Sequence, residues 1–454
     1  MSKSLGSNRS INKKPTFLLI IPVLLLIGAA VLLFLLLELE KPRIDIAGNI
    51  DLISSKRSIA FEVTDEKSGI RHIGVAVRQG GAEKQLLEQT FERQGYFTSA
   101  GQHNVKSDVT VDTKALGLKD GQAEIIFTAG DFSFWNFARG NIVQLVFPVT
   151  LDTQPPQVSL IDSSRYIKPG GAGMVTYRIS EPVAKHGVFL NDTYHPGFAI
   201  PGKDGLFGAI IALSFNTDEI SQARIEAVDP AGNAGSSAFG MVFKKVNFKQ
   251  DKINVSDGFL DVKMPEFAQH YPEMTGTKLE QYLFVNNKVR FDNNQKIMEV
   301  CRSSVSEKLW DGRFGRMEGS NRAGYADHRT YYYQNQEVDK QVHLGIDIAA
   351  TERYPVQAAN RGKVIFAEYL GIYGNMVILD HGLGVSSLYS HLSSINVAVG
   401  DMVDKGGVIG ATGTTGMAGG DHLHFSMLVN GILVNPIEWW DQSWMDLYIH
   451  AYLK

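Results

Sequence analysis

Cysteine and net charge are nearly missing from this chain. One cysteine, Cys301, among 454 residues excludes an intrachain disulfide and the small disulfide-stapled folds that depend on such bonds. A formal net charge of −4 gives no basic footprint for a polyanion, so no nucleic-acid partner is expected. No Gly/Ser-rich or Pro-rich linker separates the segments. There is no His-Glu-x-x-His motif, which removes the helix-borne glutamate base of one class of zinc peptidases. Long apolar runs are absent too, with one exception close to the N-terminus.

That exception covers residues 17–37, interrupted only by Pro22 and Gly28. About 20 apolar residues cross a hydrocarbon core as a helix. Lys3, Arg9, Lys13 and Lys14 precede the run with no acidic residue, whereas Glu38, Glu40, Lys41 and Arg43 follow it and nearly cancel. Hydropathy and charge bias together predict an uncleaved transmembrane helix over 17–37, with residues 1–16 in the cytoplasm. The chain is then expected in the cytoplasmic (inner) membrane, single-pass, with everything after the run in the periplasm or extracytoplasmic space. No small-residue cleavage site follows the run, which argues against a signal peptide.

At roughly 100–200 residues per domain, the length predicts two to four domains. "SIAFEVTD" and "QAEIIFTAGD" read as strands bounded by turn residues. "LDTQPPQVSLID" opens a second strand-rich block, which closes near "EAVDPAGNAG" at a Gly/Asn turn. Residues 41–150 and 151–245 are expected to be two versions of one module of roughly 100 residues, a size that suits an immunoglobulin-like sandwich. The second block resembles bacterial Ig-like repeats, and the pair is expected to act as a stiff spacer. Residues 246–309 read as a mixed connecting segment with a helix between about Asn287 and Glu307. Ile297, Val300, Cys301 and Val305 mark an apolar stripe there, which predicts a buried, inert thiol. Residues 310–440 read as an antiparallel β domain, followed by a tail over 441–454. The expected fold class is therefore mainly β.

The chemistry-bearing residues lie in that β domain. "HLGID" sets His343 and Asp347 four apart, "YSHL" supplies His391, and "DHLHF" supplies His422 and His424. Residues two or four apart on a strand share a face, so His422 and His424 project together with Leu423 behind them. Two imidazoles and a carboxylate suit zinc, and three protein ligands leave a fourth position open, the pattern of a catalytic site. A histidine off the metal is the natural proton carrier.

His-x-Gly-x-Asp, then Ser-His-Leu, then His-Leu-His-Phe, in that order, resembles the lysostaphin-like (LytM-type) zinc metalloendopeptidases. The resemblance extends through "VQAANRGKV", "YGNMVILDHGLGVSSLYSHL" and "LVNGILVNP". It implies His343, Asp347 and His424 as Zn2+ ligands and His391 and His422 as catalytic, non-ligand histidines. It also implies hydrolysis of peptide bonds in peptidoglycan cross-links or stem peptides, with peptidoglycan as partner and a cell-wall or division protein as a further one. The alternative is a regulator that keeps the fold, lacks zinc ligands and activates a separate wall amidase. His381, in "LDHGLG", reads as a turn histidine, and His328 as a solvated loop histidine.

Overall fold

A computed structural model describes residues 17–36, 38–95 and 100–453. The chain divides into two compact units, residues 1–154 with 230–233, and residues 155–229 with 234–454.

In the first unit, a three-stranded sheet runs in the order Arg43–Ile46, Lys56–Thr64, Asn104–Asp112. A five-stranded sheet runs Leu52–Ile53, Ile142–Leu151, Gly121–Asp131, Ile70–Gln79, Ala82–Thr90. Alternation makes the sandwich. In Lys56–Thr64, Ile59, Phe61 and Val63 are buried while Ser58, Ala60 and their like face out, which is the period of a strand with one wet face. These side chains meet Val109, Val111, Ile125 and Phe127 in one core.

The apolar run forms a helix, Phe17–Leu36. Among the described residues, however, no helix is long and apolar enough to cross a membrane. The transmembrane part of the expected fold class is therefore corrected, and with it the expected single-pass inner-membrane localisation. The cytoplasmic N-terminus expected at 1–16 lies outside the described residues. What stands is a mainly β chain.

The second unit begins with another pair of sheets. One runs Phe198–Ala199, Leu206–Ala212, Ala172–Ile179, Val158–Ser163, and the other Thr193–Pro196, Lys185–Leu190, Ala223–Val228, Ala234–Ala238. Here alternation fails. Ala172–Ile179 is buried at every position but Arg178, because both faces are covered. Val175, Tyr177 and Ile179 point into the sandwich. Met174, with Ile210 and Ala212 of the next strand, joins Trp310, Phe314, Tyr389 and Trp439 in the C-terminal core. Asn430 Nδ2 donates to the Ile210 carbonyl at 3.0 Å, and Glu438 takes the Ala172 N–H at 3.2 Å and the Lys168 ammonium at 2.9 Å. Residues 155–229 and 234–245 thus pack into the same unit as the C-terminal part.

Three helices follow. Asp257–Ala268 starts where the Ser256 hydroxyl caps the Phe259 N–H, and Lys278–Phe284 starts on a reciprocal Thr277–Glu280 capping box. The helix expected over 287–307 is shorter, Arg290–Val300, and is entered through a π turn at Val285–Val289. Phe267, Tyr282, Val289 and Ile297 pack on Ile372 and Tyr373 of a short 3-10 turn and on Met376 and Leu388 of the C-terminal sheet. Cys301 is buried, and burial pushes its thiol up to about 12.

That sheet runs Ser320–Ala323, Ile346–Ala349, Leu423–Val429, Val385–Leu392, Asn375–Gly382, Gly362–Tyr369, Met402–Val403, with Ile432–Val434 paired to Leu423–Val429. Beside it Asp327–Tyr333 pairs with Gln336–His343. The helices and the strand Gln250–Asn254 line the groove that opens above the middle of the sheet.

Candidate metal centre and active site

Strand register assembles the centre. Asp347 lies opposite His424 on the antiparallel neighbours Ile346–Ala349 and Leu423–Val429. His343 ends the strand Gln336–His343, which brings it beside that pair. His343 Nε2 is 2.9 Å from Asp347 Oδ1 and 2.9 Å from His424 Nδ1, and His424 Nδ1 is 3.0 Å from Asp347 Oδ1. All three residues are buried. Gly345 is required by close approach. A Cβ there would stand 2.4 Å from His424 Nε2 and 2.6 Å from Ser426 Oγ, so the glycine of His-x-Gly-x-Asp makes room for a ligand ring.

The outward nitrogen of each ring determines where the protons sit. His343 Nδ1 lies 2.8 Å from the Gly324 carbonyl, and a carbonyl only accepts, so the proton is on Nδ1. Ser426 donates its hydroxyl to the Leu344 carbonyl at 2.9 Å, so the hydroxyl must accept the N–H of His424 Nε2 at 3.1 Å. Both inward nitrogens then carry lone pairs. Together with the Asp347 carboxylate they make three acceptors at 2.9–3.0 Å with no donor among them, an arrangement that calls for a cation. Donors at ~2.0–2.1 Å from a tetrahedral zinc lie roughly 3.4 Å apart, so this set fits the ion with adjustments of a few tenths of an ångström. Backbone carbonyls and a hydroxyl behind ligand imidazoles are the usual outer support of such sites.

His391 and His422 flank the trio, their rings 4.9 Å apart. Each is anchored in the same way. His391 Nδ1–H donates to Thr415 O at 2.9 Å and His422 Nδ1–H to Gly420 O at 2.7 Å. Each Nε2 is therefore free for the groove, and His422 Nε2 is 3.6 Å from Asp347 Oδ1. His391 sits at φ +63°, a conformation uncommon for any residue but glycine and often found at functional sites. Burial, with His422 and His424 beside it, holds the His391 imidazole well below its ordinary value. Burial would lower His422 as well, but the nearby Asp347 carboxylate outweighs it and raises this group. Burial alone would raise Asp347; the His343, His422 and His424 imidazoles overcome it and hold the carboxyl well below the carboxylate range.

The structure thus brings the five residues expected from the sequence around one groove of about 420 Å³. It adds Arg329, which sequence reasoning missed. Its guanidinium donates to Asp347 Oδ2 at 3.2 Å, leaving Oδ1 for the cluster. No spacing signal could have found Arg329, because it reaches the site from a neighbouring sheet. Ser426 was within reach, lying two residues past His424 on the same strand face. His381 is a buried strand histidine, not a turn residue, and is bonded to Arg361 O and Ser387 Oγ. His328 stacks on Phe248, ring centroids 6.0 Å apart.

A buried carboxylate and two imidazoles converging at a groove make a donor set that suits a single zinc ion. Residues 341–436 match the model of peptidase family M23. Over 96 residues the chain is 45% identical to the DD-carboxypeptidase/endopeptidase Mpg of Neisseria meningitidis serogroup B, covering 21% of this chain and 22% of that protein. Over 95 residues it is 39% identical to the murein hydrolase activator EnvC of Escherichia coli K12, covering 21% of this chain and 23% of that one. Among solved structures, the lysostaphin catalytic domain of Staphylococcus simulans is 30% identical, covering 28% of this chain and 90% of that chain, with a TM-score of 0.21. The chain spans about a fifth of the length of the curated relatives it matches.

Proposed function

We propose that this protein is a zinc-dependent endopeptidase that hydrolyses peptide bonds in peptidoglycan cross-links or stem peptides. The observation that carries the reading is the set of three facing acceptors, His343 Nε2, Asp347 Oδ1 and His424 Nδ1, at 2.9–3.0 Å from one another. These atoms would hold the ion. When bound, zinc polarises a carbonyl and lowers the pKa of a water. Around it, Arg329 keeps Asp347 oriented through Oδ2. His391 and His422 supply two imidazoles whose inward nitrogens can take a proton or donate a hydrogen bond to developing negative charge. The groove, walled by the helices and by Tyr331 and Tyr373, suits an extended peptide with one face buried. The likeness to a DD-carboxypeptidase/endopeptidase supports peptidoglycan as the substrate.

A regulator that activates an amidase would have no use for this preorganised ligand set, although the likeness to EnvC keeps that role as the contrary outcome. Purified peptidoglycan is incubated with the zinc-loaded protein and the products are weighed by mass spectrometry. Cleaved cross-link or stem peptides are expected. Intact peptides, together with stimulation of an added wall amidase, would replace this reading by the regulator.

A further inference from the structure

A second cluster of ligand-bearing side chains lies in the first unit, far from any motif. Glu38, just ahead of the first strand, Asp65, just after Lys56–Thr64, and Asp131, the last residue of Gly121–Asp131, meet at one end of the sandwich. A carboxylate oxygen from each lies within 4.8 Å of the others, and all three residues are buried. Their relative exposures are 5%, 4% and 0%.

The local backbone is built around these oxygens. Gly69 N–H donates to Asp65 Oδ1 at 2.6 Å and Ser68 N–H to Glu38 Oε2 at 2.9 Å. Asp131 accepts the N–H groups of Ser133 and Asn141 on Oδ1 and the Asn141 amide on Oδ2. Asn141 and Ser133 also hold the Glu38 carbonyl, fixing the incoming segment. Two buried polar atoms there have no hydrogen-bond partner, Ser68 Oγ and one carboxylate oxygen, Glu38 Oε1. The charged neighbours with the largest effect on Glu38 are the carboxylates of Asp65 and Asp131, and Asp131 also acts on Asp65. Buried carboxylates are normally paired or coordinate a metal. Burial and mutual repulsion accordingly push the Glu38 and Asp65 carboxyls up in the ion-free protein.

We infer that Glu38, Asp65 and Asp131 form a binding site for a hard divalent cation, calcium by preference, separate from the zinc centre. An all-oxygen donor set disfavours zinc and suits calcium or magnesium. Calcium accepts irregular sets of six to eight oxygens at ~2.3–2.6 Å, including bidentate carboxylates, whereas magnesium demands a regular octahedron and gives up water reluctantly. Three carboxylates offering up to six oxygens from three separate segments match the first pattern. The ion would neutralise the cluster and tie residues 38–40 to the loops that follow Thr64 and Asp131.

The test uses the full-length protein, stripped of divalent cations and reloaded with one equivalent of zinc. Calcium chloride is titrated in by calorimetry and by thermal melting, with magnesium chloride and sodium chloride at matched ionic strength as controls. One calcium site is expected, with a Kd on the order of 10⁻⁴–10⁻³ M, as for extracellular modules. At about 10 mM calcium one melting transition should rise by roughly 3–10 °C, and magnesium should give less. Glu38→Gln and Asp65→Asn should each abolish the shift. If Asp65→Asn does not fold, Glu38→Gln, which lies ahead of the first strand, decides the matter. Absence of calcium binding by the unaltered protein, a shift reproduced by sodium chloride, or an undiminished shift in Glu38→Gln would overturn the inference.

Discussion

The two buried clusters invite comparison because each centres on carboxylates whose protons have moved in opposite directions. Asp347 is as buried as Glu38 and Asp65, yet its carboxyl is held well below the usual range while theirs are pushed above it. Burial raises all three. The difference is in the neighbours. Asp347 has imidazoles and the Arg329 guanidinium around it, whereas Glu38 and Asp65 have each other and Asp131. Nitrogen lone pairs beside one carboxylate make a site for a borderline ion such as zinc, and carboxylates alone make one for a hard ion. The same burial therefore leads to two chemistries, chosen by which side chains share the site.

The comparison requires each cluster to draw its rigidity from its own unit. Its largest test is deletion. Removing residues 155–245 strips Met174, Ile210 and Ala212 from the core they share with Trp310 and Trp439. The C-terminal part should then fail to fold as a soluble species, whereas a chain lacking residues 1–154 should keep its zinc and its cleavage. Size-exclusion chromatography and metal analysis read both outcomes.

Next in size is Gly345→Ala. The new Cβ meets the His424 ring at 2.4 Å, and displacement of a ligand by ~1 Å should lower cleavage about 10²-fold, with no change in calcium binding. Smaller again is Ser426→Ala, which removes the acceptor of the His424 Nε2–H. Zinc affinity should fall roughly 10-fold to 100-fold, the usual cost of an outer partner, as measured by competition with a chromophoric chelator.

The smallest effect concerns acid. Burial lowers His381 to about 4 and His195 to about 3, while unfolded imidazoles titrate near ~6.5. Below that pH the unfolded chain binds protons that the folded C-terminal unit cannot take up, so stability falls as pH drops from ~6.5 toward ~4 and is flat above. Melts between pH 8 and 4.5 should show the decline, and His381→Gln should flatten part of it.

How much of this was legible depended on sequence distance. His343 with Asp347, and His422 with His424, lie four and two residues apart in sequence, which marked them as one site, although His343 ends one strand and Asp347 lies on the next. Arg329 arrives through a neighbouring sheet, and Glu38, Asp65 and Asp131 come from three separate segments with no common motif. The sandwich of residues 155–245 was legible as strands. Its fusion to the C-terminal part was not, because "GMVTYRIS" does not disclose what covers its second face. The N-terminal run was read as spanning a membrane from hydropathy and flanking charge, and the described helix does not bear this out.

The central claim is that three facing acceptors hold one zinc while two further histidines do not, and metal analysis of purified protein tests it most directly. The account predicts about one zinc per chain in the unaltered protein and in His391→Ala, with cleavage by the latter down roughly 10²-fold or more, and no zinc in His343→Ala. Zinc lost from His391→Ala and retained by His343→Ala would contradict it.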